Sequence, residues 1–172
     1  AIGYKMLRSK FPIKKDVLLD LYLSMILTLN FGSSSDFNEQ IRKKHLVSHS
    51  SYSFDDAKNI RIFYIEADVL NEEEFLLALE KQLSNLVVLE EDLERMKKVW
   101  ISSEVIKSDY KDSVMNSIIS DLASYHDICN RYVDLIRSMN INTMKEVLKA
   151  LDFSNRAVVK MLPLEKENSE DH

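Results

Sequence analysis

The sequence predicts an α+β fold: a two-layer sandwich in which a mostly antiparallel sheet carries helices packed on one face. Three observations support that expectation. The run from Asp16 to Asn30 is apolar almost all round a helical wheel. Only Asp20, Ser24 and Thr28 recur along one thin polar line, which marks a buried helix. Val47 to Phe54 and Ile60 to Ala67 are two β-rich runs joined by a short polar stretch, the pattern of a hairpin. Around them the elements follow as strand, helices, hairpin, helices, strand.

Ile2 to Leu7 reads as the first strand, with Ile2, Tyr4 and Met6 on one face and Gly3 as a close backbone approach or bulge. Pro12 ends that segment. The core helix follows, too short and too interrupted by Asp20 to be a membrane span, since spanning needs roughly 20 apolar residues. Gly32 is expected to close it as a left-handed cap. Ser33 to Asp36 offer cap oxygens to a second helix reaching Lys44, with Asp36 and Glu39 spaced as a capping box. In the hairpin, Asp55, Asp56, Lys58 and Asn59 supply the turn. Asn71 and Glu74 form the next capping box, ahead of Phe75, Leu76, Leu79, Leu83 and Leu86 at helical spacing. Glu90, Glu91 and Asp92 open a further helix whose inner stripe is Leu89, Leu93, Met96 and Trp100. Helices are then expected over 113–125, 128–139 and 143–151, the last capped by Asn142. Ala157 to Leu162 reads as a closing strand that Pro163 stops.

A length of 172 residues fits one domain, placed at 1–164, followed by a charged tail at 165–172 that lacks apolar anchors and should fray. The net charge of −5 argues against nucleic acid as a partner. The single cysteine, Cys129, allows no internal disulfide and suits a reducing compartment, so a cytoplasmic location is expected. The chain begins at Ala1 without an initiator methionine, which we read as a fragment of a longer protein.

No glycine-rich phosphate loop, nucleophile elbow, H-E-x-x-H or H-x-x-E-H is present. His45 and His49 have the i, i+4 spacing of a helical metal pair. They straddle a helix end and a strand, however, where four residues span roughly 13 Å. His126 and Cys129 would supply only two ligands. The acids at 72–74 and 90–92 belong to helix starts. On residues alone there is no catalytic constellation and no metal site.

Leu29, Phe31, Gly32, Ser34, Ser35, Phe37, Ile41, Arg42 and Leu46 together resemble the fingerprint of the non-catalytic domain of pitrilysin-type zinc peptidases. This is the inverzincin group that includes mitochondrial processing peptidase. The resemblance is to the second half of the single-chain bacterial branch, and it runs from Ile2 to Pro163. It is carried further by the strand IRIFYIEA, by the acid-opened helix containing Met96-Lys97-Lys98, and by the final Leu162-Pro163.

The resemblance implies a processing-peptidase-like fold and the non-catalytic C-terminal half of a zinc-dependent metallopeptidase. Such a half would form chamber wall, domain interface and peptide contacts. It also implies an N-terminal catalytic domain of the same protein as partner, holding the zinc through H-x-x-E-H, with no cofactor in this half. A peptide substrate and a homo- or hetero-dimer follow as further partners. Relatives place an arginine, and a tyrosine seven residues on, against the substrate. Arg42 matches the arginine. His49 stands seven residues on, or Ser48 if one residue is missing before Leu46, and His45 replaces a glycine before that leucine. The alternative is a stand-alone peptide-binding or dimerisation module with no enzymatic role.

Overall fold

The computed structural model describes residues 1–57 and 59–162. In strand β1 (Ile2–Leu7), Ile2, Tyr4 and Met6 are buried while Lys5 and Leu7 are exposed, so the alternation read from the sequence is the alternation of the sheet. A short 3-10 turn at Arg8–Lys10 leads to α1 (Asp16–Phe31), and α2 (Asp36–Lys43) follows. The hairpin is β2 (Val47–Ala57) and β3 (Ile60–Val69). Helices α3 (Glu72–Ser84), α4 (Glu90–Ser108), α5 (Lys111–Tyr125), α6 (Tyr132–Ser138) and α7 (Ile141–Ala150) precede β4 (Arg156–Val158).

The sheet runs β2-β3-β1-β4 and every neighbouring pair is antiparallel. Tyr4 pairs with Phe63 and Ile2 with Ile65, and all four are buried beneath the helices. The fold is α+β, as expected. Helix α1 is the spine: Val17, Leu19, Tyr22, Leu23, Met25, Ile26, Asn30 and Phe31 are buried. It packs against β2, α2, α4 and α7. The stretch Asp16–Lys43 is long and apolar enough to resemble a membrane span by composition. Burial of half the sixteen residues of α1 among protein neighbours instead makes it a core helix. Phe31 is also the hub of an aromatic cluster, 5.4 Å from Phe37, 4.9 Å from Tyr52 and 5.4 Å from Phe63 between ring centres.

Several local expectations are corrected. Gly3 pairs regularly with Tyr64 and Ala157 and makes no bulge, and a side chain there would meet Ile62 at an ordinary 3.6 Å. Gly32 is extended rather than left-handed (φ −62°, ψ 165°). Glycine fits because a Cβ would collide with the carbonyl oxygen of Thr28. The cap of α2 is Ser35, whose hydroxyl accepts from the Asn38 N–H at 3.2 Å, so Asp36 is already helical. Asp55 and Asp56 belong to β2 rather than to the turn, because Asp56 pairs with the buried Arg61 of β3. Leu89 caps α4 and is exposed instead of joining its inner stripe. Residues 128–131 are not helical: His126 terminates α5 at φ 55°, and the Cys129 N–H turns aside to Asp121. Asn140, not Asn142, caps α7 by accepting from Thr143 at 3.0 Å. Strand β4 covers three residues where six were expected. The stop at Pro163 and the tail at 165–172 lie outside the described residues.

Asn71 caps α3 and pairs with Glu74, but the return bond comes from the Asn71 side-chain amide, because the Asn71 N–H donates to Leu46 O. The Glu74 N–H donates to Asn71 Oδ1 at 3.2 Å, and Asn71 Nδ2 donates to Glu74 Oε1 at 3.0 Å.

Candidate functional site

Arg42 and His49 lie at the two ends of the connection from α2 to β2. Arg42 occupies the last turn of α2 and is exposed. Among the described residues its side chain makes no hydrogen bond or ion pair. Its carbonyl is engaged instead, accepting from His45 N–H at 3.0 Å, while Leu46 N–H donates to Ile41 O at 2.9 Å. These two bonds are the Schellman closure of a helix, sealed by the buried side chains of Ile41 and Leu46. The closure needs a left-handed residue between them, and His45 takes it at φ 51°. The glycine position of the resembled family is therefore a real conformational requirement, met here by a histidine at a cost of roughly 1–2 kcal/mol.

His49 is exposed on β2, opposite Asp68 of β3. The register shifts by one between Val47 and His49, so Ser48 is the extra residue of a β-bulge. Val47 and Tyr52 both pack toward the helices although their spacing puts them on opposite sides of a regular strand. The bulge falls at the position where the resemblance leaves Ser48 and His49 as alternatives. Among the described residues, no hydrogen bond joins Arg42 to His49.

A feature not visible in the sequence is that β2 is an edge strand, with β3 on one side and, among the described residues, no strand on the other. Its outer backbone N–H and C=O groups are thereby available for an extended chain to pair with. Beside that edge lies a cavity of about 340 Å³, lined by Leu27, Thr28, Phe31, Gly32, Ser33, Asn38, Ser50, Ser51 and Tyr52. The Tyr52 hydroxyl is buried beside Ser50; burial pushes its pKa upward, against the lowering pull of that serine. Sequence patterning hinted at this surface only through the serines of β2, because edge position depends on strand order.

A second cavity, about 400 Å³, opens at the far end of the hairpin among Asp20, Phe54, Asp55, Asp56, Arg61 and Tyr125. Arg61 is 2% exposed and holds three carboxylates: Asp56 at 2.8 Å, Asp20 at 3.1 Å and Asp16 at 3.2 Å. The Tyr125 hydroxyl donates to Asp20 at 2.8 Å. Burial raises the Asp20 carboxyl above the usual carboxylate range, against the opposing pull of the Tyr125 hydrogen bond and the Arg61 charge. These groups tie α1, β2, β3 and α5 together, while Arg61 Nε is buried with no hydrogen-bond partner among the described residues. Among the described residues, no three His, Cys, Asp or Glu side chains converge as metal ligands.

No family model and no curated protein matches the sequence. Solved structures do match in fold. An M16-like peptidase candidate from Alicyclobacillus acidocaldarius aligns over 90% of this chain with a TM-score of 0.71 and 14% identity. The inactive peptidase domain of a candidate zinc protease from Bordetella parapertussis aligns over 96% at a TM-score of 0.65 and 15% identity. The periplasmic protease PqqL from Escherichia coli aligns over 87% at 0.69 and 16%. The chain spans 38% of the first structure and 17% of PqqL, but 94% of the Bordetella domain. At such identities the likeness establishes the fold: that of an M16-like, pitrilysin-type peptidase domain.

Proposed function

We propose that this chain is the non-catalytic half of a zinc-dependent peptidase, and that it holds an extended peptide against the free edge of β2. The observation that carries the reading is the open edge of β2 on this fold, with a cavity beside it. Likeness over nearly its whole length to a domain described as an inactive peptidase domain supports the same assignment. In this reading the zinc and the general base belong to an N-terminal catalytic domain, which closes over the peptide. The edge strand supplies main-chain hydrogen bonds that register the peptide without reading its sequence. The small cavity selects for one side chain in two, since alternate residues of a strand point the same way. Arg42 offers a planar, permanently charged guanidinium that could grip a peptide carbonyl or carboxylate, with His49 or Ser48 beside it on β2.

The test is peptide binding by the 172-residue chain, followed through backbone amide shifts. An extended peptide should perturb Ser48 to Phe54 first, and the same peptide N-methylated at alternate backbone nitrogens should lose binding in one of its two methylation registers. Equal binding by both N-methylated forms would exclude strand addition. Turnover after recombination with a catalytic half then separates the residues: Arg42→Ala should lower it and Lys43→Ala should not. Equal activity in the two variants would remove Arg42 from the substrate contacts. A chain that binds peptide but restores turnover to none of the catalytic halves it is combined with would be a stand-alone binding module.

A further inference from the structure

The cavity beside the β2 edge carries no charge. Its apolar walls are Leu27, Phe31 and Tyr52, and the rest of its lining is glycine, hydroxyl and amide side chains, with no acid, lysine, arginine or histidine. The cavity at the far end of the hairpin is its opposite, with Asp20, Asp55, Asp56 and Arg61 in the lining. In the neutral cavity two polar side chains are already engaged by the backbone. Thr28 Oγ1 donates to Ser24 O at 2.8 Å, and Asn38 Nδ2 donates to Phe31 O at 3.3 Å. A charged side chain entering here leaves water without meeting a counter-ion, which is costly. An aromatic ring entering here joins a cluster of rings: Phe31 and Tyr52 have centres 4.9 Å apart, and Phe37 stands 5.4 Å from Phe31. Rings in such clusters gain from edge-on and offset contacts beyond the area they bury. A cavity of about 150 Å³ already holds a benzene ring. This one, about 340 Å³, takes a ring together with the stem that carries it.

We propose that this cavity is a subsite for one aromatic side chain of the peptide paired to β2. The proposal rests on the strand-addition reading and adds which side chain that edge selects. Ser50 and Tyr52 are two residues apart on β2, so they share a side of the sheet, and Tyr52 packs against the helical core. A strand added outside β2 continues the sheet. Its side chains on that side then lie over the end of α1 and the start of α2, where Thr28, Gly32 and Asn38 border the cavity. Of β2 only Ser50, Ser51 and Tyr52 line it, so it takes one such side chain. The next on the same side falls about 7 Å further along the strand.

Short capped peptides of serine and threonine, identical except for one central residue, test it against the 172-residue chain by amide shifts and titration calorimetry. With phenylalanine at the centre, affinity should exceed that of the alanine peptide by about tenfold or more, the effect of burying one aromatic side chain. Glutamate and lysine peptides should bind no tighter than alanine. The phenylalanine ring should shift the amides of Gly32 and Ser33, which the alanine peptide leaves in place. Thr28→Trp and Ser33→Trp, both at exposed positions on the rim, should fill the cavity and abolish the preference for phenylalanine, with the alanine peptide's affinity unchanged. Equal affinities for phenylalanine and alanine, with both peptides still shifting Ser48 to Phe54, overturn the subsite and leave strand addition standing. So does a preference for glutamate or lysine, or a preference for phenylalanine that survives both tryptophan substitutions. No shift along β2 with any of the peptides overturns strand addition and the subsite together.

Discussion

Helices α1 and α5 are nearly equal in length, sixteen and fifteen residues, with eleven apolar residues in the first and seven in the second, yet they place those residues in opposite ways. In α1 the apolar side chains are buried and Asp20 sits at the margin among charges that match it. In α5 the single buried residue is an acid, Asp121, while Met115, Ile119 and Leu122 face outward. The lower apolar content of α5 does not explain why those apolar residues face outward; its few packing partners do. Helix α1 is enclosed by β2, α2, α4 and α7, whereas α5 is packed principally against α4. The buried acid of α5 is there because the chain after it bends back to use it. The Tyr132 hydroxyl donates to Asp121 Oδ1 at 2.5 Å, and the Cys129 N–H donates to Oδ2 at 2.9 Å. Tyr132 is pushed to a higher pKa by its own burial and then by this bond, so it stays a neutral donor at ordinary pH.

The contrast can be broken by substitutions of matched kind. Leu23→Ala or Ile26→Ala in α1 should cost about 2–5 kcal/mol in chemical denaturation, because neither site can collapse within an enclosed core. A loss below about 1 kcal/mol for both would make α1 peripheral and erase the distinction. Asp121→Ala should cost about 1–3 kcal/mol, since the Tyr132 hydroxyl and the Cys129 N–H are left without their acceptor. The same change should expose the 126–131 bend to faster amide exchange, and unchanged exchange would show that Asp121 does not hold it.

Asp20 sharpens the comparison from the α1 side, where it receives the Tyr125 hydroxyl of α5. Its native carboxyl holds a proton more tightly than the unfolded chain does, because burial raises its pKa. Its contribution to stability is thus fully present below the unfolded value and is lost as pH rises through the native one. Asp20→Asn should flatten the stability profile across that acidic interval; an unchanged profile would mean that the pull of Arg61 cancels the effect of burial. The smallest effect belongs to the outer stripe of α5. Ile119→Asp should change the unfolding free energy of the monomer by no more than about 0.5 kcal/mol. A large loss would mean that the stripe belongs to the core.

The parts of the fold legible in the sequence are those fixed by neighbours within a few residues. The all-round apolarity of α1, the alternation of β1 and the Asn71 box with Glu74 are of this kind. What was missed depends on residues far along the chain. Asp55 and Asp56 look like turn residues until Arg61 arrives from β3 to neutralise one of them. Residues 128–131 have helical periodicity, but Asp121 takes the Cys129 N–H that a helix would have used. For the candidate site, Arg42 was legible as a basic residue in a last turn and His49 as a polar residue on a strand. The edge position of β2 and the cavity beside it were not, since both are properties of strand order and packing. The left-handed His45 was foreshadowed only by the glycine of the resembled family.

The bulge at Ser48 gives the strand a length tolerance. Pairing from His49 to Ala57 is fixed from the hairpin end, while Val47 is fixed from the cap of α2. One residue of slack between these two anchors lets the connection shorten or lengthen without inverting the faces of Tyr52 and Phe54, which in a regular strand any single-residue slip would do. Lineages that differ by one residue here can therefore share an unchanged aromatic core. Side chains on the two sides of the bulge can drift independently, so the surface at the start of β2 is free to diverge while the sheet stays as it is.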